Sequence, residues 1–376
     1  MNYRFPYNPQ WPERPIPDQN LPTYRRIGQG FCGSVWSCPE SPSTSTDPVR
    51  AIAIKREDGG PGRSLSNDYS VHWQVLDVIK KCPKELCEFT VPHCHTFVEK
   101  LLWGLPDQRL LSRFPEGYTA CNALFTERIP PMPEPVRNLL VDKFCPKTPE
   151  SLPAQIRADE QNHDCLVRPY LGRTKHGRGR SRVSFFSLRN FPLHLDQMAE
   201  LGLPSDAARD YAAAMAKTLA VLHWKARIDA NDIEFVLAPP PLAPLKTDRW
   251  SRVDCPGDPA FTFSSPVLGT HCLWILDFDC CRRMDWDEKG VEKAARAFLR
   301  NDPFYPRPGR KDADEKELWR HFRATFLWAS ERIIAYDAEN HIGDRGRRGL
   351  PLKLMDRIEE LVAETNGQDG QDTPAN

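Results

Sequence analysis

The chain has 376 residues, and 51 Lys and Arg balance 51 Asp and Glu, so its formal net charge is zero. That balance supplies no global field for nucleic acid or an anionic surface, and no apolar run approaches the roughly 18 residues that span a bilayer, so neither nucleic acid nor a membrane is an expected partner. Hydrophobic residues make up 40% of the sequence, enough to bury a core in one large two-lobed domain or two ordinary ones, which excludes a disordered chain. Residues 1–23 form a polar, proline-rich arm with no signal-peptide core, which points to an intracellular protein, in cytoplasm or nucleus. In a reducing compartment the 12 cysteines are expected to be free, mostly buried thiols.

In chain order, residues 24–36 read as a hairpin around Gly28, Gly30 and Gly33, and residues 51–55 as a strand ending in Lys55. Residues 56–64 hold Gly59-Gly60-Pro61-Gly62 and turn. Residues 65–80 space Leu65, Tyr69, Trp73, Leu76 and Ile79 near a 3.6 period, which predicts a helix. A strand is expected over 89–98 despite Pro92, a short strand or turn over 101–105, and a strand over 123–129 that breaks at Pro130-Pro131. A short helix over 136–144 and a strand over 166–171 follow. Residues 175–182 are basic but carry no interleaved aromatic to stack a base, so they read as a solvated loop.

A helix over 193–201 stops at Gly202, and a longer one runs over 207–224 with Tyr211, Met215, Leu219 and Leu222 on one face. Residues 233–237 read as a strand, 239–266 as a proline-rich insertion, and Trp274-Ile275-Leu276 as a buried strand. Helices are expected over 290–299, 315–336 and 351–365, before a frayed tail.

The spacing Gly28-x-Gly30-x-x-Gly33, followed by Val35 on a continuing strand and then Lys55, suits a loop that covers nucleotide phosphates. Glycine lets backbone approach phosphate, the valine packs on an adenine, and the lysine supplies fixed positive charge. The same three glycines also open dinucleotide sites or serve a structural hairpin. Asp68, one turn into the first helix, is placed to pair with Lys55 or to complement the helix dipole. Glu127 and Ile129 would present backbone groups to an adenine edge, or belong to an ordinary edge strand. Asp277 directly follows a buried strand and, with Asp279, offers hard oxygen ligands for magnesium, or a solvated strand end. Asp229 and Asp232 are the candidates for a catalytic base. The cysteine and histidine cluster Cys82, Cys87, His93, Cys94 and His95 lacks close paired spacing, so zinc is not expected.

The blocks at 26–36, 54–60, 187–197, 228–237, 274–282 and 301–308 resemble an uncharacterised domain family of filamentous fungi that sometimes goes under the name zinc finger protein. More distantly, Gly28, Gly30, Gly33, Val35, Lys55 and Asp277 resemble the kinase-like phosphotransferase superfamily. That second resemblance implies an α+β, bilobal, protein-kinase-like fold with proline-rich insertions, and ATP with Mg2+ as cofactors. The first lobe would cover 24–128 and the second 129–360, with insertions at 134–186 and 239–266 and a disordered tail at 361–376.

The chain departs from the family in its catalytic loop. The family pattern is His-x-Asp, four residues, then Asn, and here Phe235 is read at the asparagine position, with Asn231 or Glu234 as substitutes only on a different backbone path. No Ala-Pro-Glu segment follows. The expected function is therefore a nucleotide-binding pseudokinase or scaffold that recruits a protein partner. The alternative is an atypical phosphotransferase acting on a small molecule through Asp229 or Asp232. A zinc-dependent or nucleic-acid-binding module fits the charge and the cysteine spacing poorly.

Overall fold

In the computed structural model, which describes residues 23–38, 52–104, 110–175, 186–241, 260–301, 303–339 and 345–369, the glycine-rich segment forms an antiparallel hairpin. Its strands are β1 (Arg25–Gln29) and β2 (Ser34–Ser37). β2 pairs with β3 (Ile52–Arg56), and helix α1 (Leu65–Lys80) follows. Ser64 caps α1 by accepting from the Asn67 amide, the favoured use of serine at a helix start. β4 (Cys94–Val98) and β5 (Ala123–Glu127) complete a five-stranded antiparallel sheet in the order β1-β2-β3-β5-β4. Trp36, Ile54, Val98, Trp103 and Phe114 fill one side of it, and Cys32, Leu65, Cys94 and Leu124 meet under α1.

The strand expected over 89–98 is shorter, because Pro92 cannot donate to a ladder. Only Thr90 pairs in its first half, as a single parallel bridge to Trp274. Residues Lys100–Gly104 form a 3-10 turn rather than a strand.

Helices α2 (Glu134–Phe144) and α3 (Leu152–Ala158) lead to β6 (Val167–Tyr170). Residues 134–186, expected as an insertion, are instead part of the main core in their described portion: Val136, Leu140, Ile156, Cys165 and Val167 are all buried there. The expected helix start at 193 is also corrected. Phe191–His194 is a strand, β7, parallel to β6, and α4 (Leu195–Leu201) begins after it. Pro192 is tolerated because β7 lies at the sheet edge.

Helix α5 (Ala207–Trp224) is buried along most of its length, and its alanines let a later helix approach closely. β8 (Glu234–Ala238), β9 (Phe263–Ser265) and β10 (Gly269–Leu276) finish a second sheet, ordered β7-β6-β8-β10-β9. α6 (Glu288–Arg300), α7 (Ala313–Glu339) and α8 (Leu350–Asp369) close the chain, with α7 packed along α5. The tail expected from 361 is helical through Asp369, and Leu361 is buried in the core. Much of the basic stretch at 175–182 and of the proline-rich stretch at 239–266 lies outside the described residues. The result is a mixed α+β fold with two five-stranded sheets. Among the described residues, no helix is long and apolar enough to cross a membrane.

Candidate functional site

Lys55 sits on β3 beside Val35 of β2 and Leu124 of β5. Its Nζ donates to Asp68 Oδ2 at 2.7 Å and to Asp277 Oδ1 at 2.6 Å. The shorter aspartate reaches because α1 lies close to the segment after β10. Asn67 donates to the carbonyls of Phe278, Asp279 and Cys281, and Asp68 Oδ1 accepts from the Phe278 amide. Asp277 is left-handed, at φ 70°, a conformation that costs a non-glycine residue about 1–3 kcal/mol and clusters at functional sites. Burial opposes the charge on Lys55, yet Asp68 and Asp277 keep its ammonium protonated well above the usual lysine range. Burial likewise opposes the charge on Asp277, and Lys55 overcomes it, holding that carboxyl below the usual range.

A second cation lies nearby. Arg63, in the turn before α1, places Nη1 2.6 Å from Asp232 Oδ2, 3.1 Å from Asp279 Oδ1 and 2.8 Å from Cys280 Sγ. Asp232 comes from a loop of unusual backbone, in which Arg227, Ala230 and Asp232 all have positive φ. Burial and the neighbouring Asp277 push Asp279 up to about 6. Burial and Asp279 push the Cys280 thiol up to about 11.

The two candidate bases part company. Asp229 is 2% exposed, accepts from the amides of Asn231 and Arg282, and pairs with Lys293 at 3.2 Å. Its carboxylate holds the loop in shape. Asp232 is half-exposed and faces Arg63.

Phe235 faces the core rather than Lys55 and Asp277. Strand alternation turns it into the main core against Phe304 and Tyr305, and turns Glu234 to the opposite face, opposite Leu276 and bonded to Arg168. Glu234, with four residues between it and Asp229, is one of the two substitutes signalled by the sequence. Burial, with Asp277 and Asp232 adding to it against Arg168, pushes Glu234 up to about 7. Arg63 carried no such signal.

The glycine turn is braced from below. Gly59 donates to the Cys32 carbonyl and Gly60 to the Phe31 carbonyl. A Cβ on Gly33 would lie 2.1 Å from the Arg56 carbonyl oxygen, and Gly33 has φ 149°. Gly28 lies against Val35, whereas a Cβ on Gly30 would meet nothing. Cys32 is buried beneath the turn, and Phe31 at its tip is 81% exposed, over the Arg63 guanidinium at 5.5 Å. At the far end of β5, Glu127 bonds to the His93 backbone, and Ile129 packs on Val236, Cys272 and Trp274.

A family model described as "Zinc finger protein" matches residues 273–338. The match takes in Asp277, Asp279 and Cys280 but not the glycine turn, Lys55 or Asp232. No curated protein matches the chain.

The expectation against zinc is corrected by two findings, that description and a cluster the spacing argument did not consider. Cys82 and Cys94 lie in separate core clusters. Asp232, Asp279 and Cys280, however, bring their ligand atoms within 4.8 Å of one another. Oxygen and sulfur donors of this kind suit zinc, and three of them leave an open coordination position, whereas a structural finger closes all four. Arg63 Nη1 already bonds to all three residues, so an ion would have to take its place.

Proposed function

We propose that the protein is a kinase-like nucleotide-binding protein that has kept the binding half of a phosphotransferase cleft and acts as a pseudokinase or scaffold. The observation that carries this reading is the Lys55–Asp68–Asp277 constellation. It joins a strand lysine in an antiparallel sheet, a carboxylate on the following helix, and a left-handed aspartate at the end of a strand in the second sheet. Electrostatics of this kind hold the polyphosphate of a nucleotide. On this reading the chain has two lobes that meet near 128–129, with the glycine turn over the phosphates.

The transfer half is weaker. A base must reach the hydroxyl it deprotonates, but Asp229 is committed to backbone amides and Lys293, and Asp232 to Arg63. Without a free base, binding is the function that remains, and the paired lobes would present a surface to a protein partner.

Calorimetric titration of ATP into the purified chain tests this. Wild type is expected to bind, and Lys55→Arg and Asp277→Asn, which keep the volume of the site, are expected to bind at least about tenfold more weakly. No heat at millimolar ATP, or equal binding by all three proteins, refutes the reading.

A further inference from the structure

The two sides of the candidate site are joined by a contact from the chain itself. Arg63 belongs to the turn between β3 and α1, yet its guanidinium docks on residues at the far side: Asp232 in the loop after α5, and Asp279 and Cys280 after β10. Asp279 is buried and Arg63 only one-fifth exposed, so this is no loose surface pair. The same turn carries Gly59 and Gly60, whose amides hold the carbonyls of Cys32 and Phe31. Arg63 and the glycine turn are therefore tied to one piece of backbone. Phe31 lies over the Arg63 guanidinium from above, and the Cys32 thiol is buried under the turn, where the charges of Lys55, Asp277 and Asp279 all reach it.

We propose that Arg63 is an autoinhibitory latch that holds the glycine turn down on the cleft, so that a nucleotide enters only when Arg63 lets go of Asp232 and Asp279. The proposal rests on the nucleotide-binding reading for its ligand, but not for its mechanics. Docked, the guanidinium neutralises the acidic residues at 232 and 279 from inside. Released, it leaves them to face solvent or a cation, and the turn above Lys55 is free to rise together with the 59–63 segment that the Gly59 and Gly60 amides tie to it.

The test has two readouts on the full chain: alkylation of Cys32 by iodoacetamide, followed peptide by peptide by mass spectrometry, and ATP affinity by calorimetry. Cys32 is 4% exposed, so its labelling reports lifting of the turn. Arg63→Ala is expected to raise the Cys32 rate at least about tenfold and to tighten ATP binding several-fold, while Arg63→Lys stays near wild type. Arg63→Ala leaves buried Asp279 without this partner, so Asp232→Asn serves as the second variant. It cuts the latch from the half-exposed side, leaves buried Asp279 paired with Arg63, and is expected to move both readouts in the same direction. A Cys32 rate unchanged in Asp232→Asn and in folded Arg63→Ala overturns the latch. Faster labelling with no ATP binding by any variant refutes the nucleotide reading, and the gating role with it. Faster labelling with unchanged ATP affinity also overturns the gating role.

Discussion

Replacing Lys55 by methionine removes the one charge shared by Asp68 and Asp277, whose side chains are 3% and 27% exposed. Two carboxylates would then face each other in a site with little water. At an effective dielectric of about 20, two unit charges about 4 Å apart repel by about 4 kcal/mol before desolvation, so with desolvation added one of the two protonates rather than remain charged. Protonating a carboxyl of ordinary pKa about 3.9 costs about 4 kcal/mol at pH 7 and about 1.5 kcal/mol at pH 5. That agrees with the loss of about 3–5 kcal/mol seen when one partner of a buried pair is removed.

Lys55→Met should therefore destabilise the protein by about 4 kcal/mol at pH 7 and by less than half of that at pH 5. Urea unfolding of wild type and variant at both pH values measures it. Adding Asp68→Asn to the variant should recover most of the pH 7 loss, because it removes the repulsion directly. A loss below about 1 kcal/mol at pH 7, or one as large at pH 5 as at pH 7, would refute the account of a shared, buried charge.

Two further outcomes follow from the same region. Gly33→Ala should cost more than about 2 kcal/mol, because its Cβ meets the Arg56 carbonyl in a conformation side chains avoid, whereas Gly30→Ala should fall within about 0.5 kcal/mol of wild type. Equal melting temperatures for the two variants would show that the turn is not braced as described. For Glu234 the sign is set by its raised pKa. From its ordinary value to about 7, the native state holds a proton that the unfolded chain releases, so this group's contribution to stability falls as pH rises through that window. Glu234→Gln should flatten the decline between pH 5 and pH 8, and an unchanged slope in urea unfolding would count against it.

Some of this was legible in the sequence. Helices α1 and α5 begin and end where their apolar spacing and flanking residues say, because long amphipathic segments with a capping serine or a buried alanine face carry their own signal. The short strand β7 was not legible. Four residues that include a proline look like a helix entrance until a partner strand is known. In the site, the pairing of Lys55 with Asp68 was legible by type and order, whereas the bond from the same lysine to Asp277, 222 positions away, was not. Arg63 was not, since its partners lie 169 or more positions away and no periodicity marks them. Phe235 was read at the site with Glu234 as a substitute, and strand alternation decides between them: the ring turns into the core and the carboxylate to the Arg168 face.

Thr90 joins the two sheets. Its amide donates to Leu273 and its carbonyl accepts from Ile275, so one residue from the segment before β4 is stitched into the edge of β10. The chain also passes directly between the two sheets at 128–131, where Met132 donates its amide to Cys165. From α1, Asn67 adds bonds to the carbonyls of Phe278, Asp279 and Cys281. Asp277 follows two residues after the stitched Ile275 and directly precedes Phe278, so its backbone is anchored on both sides by segments of the first sheet and its helix.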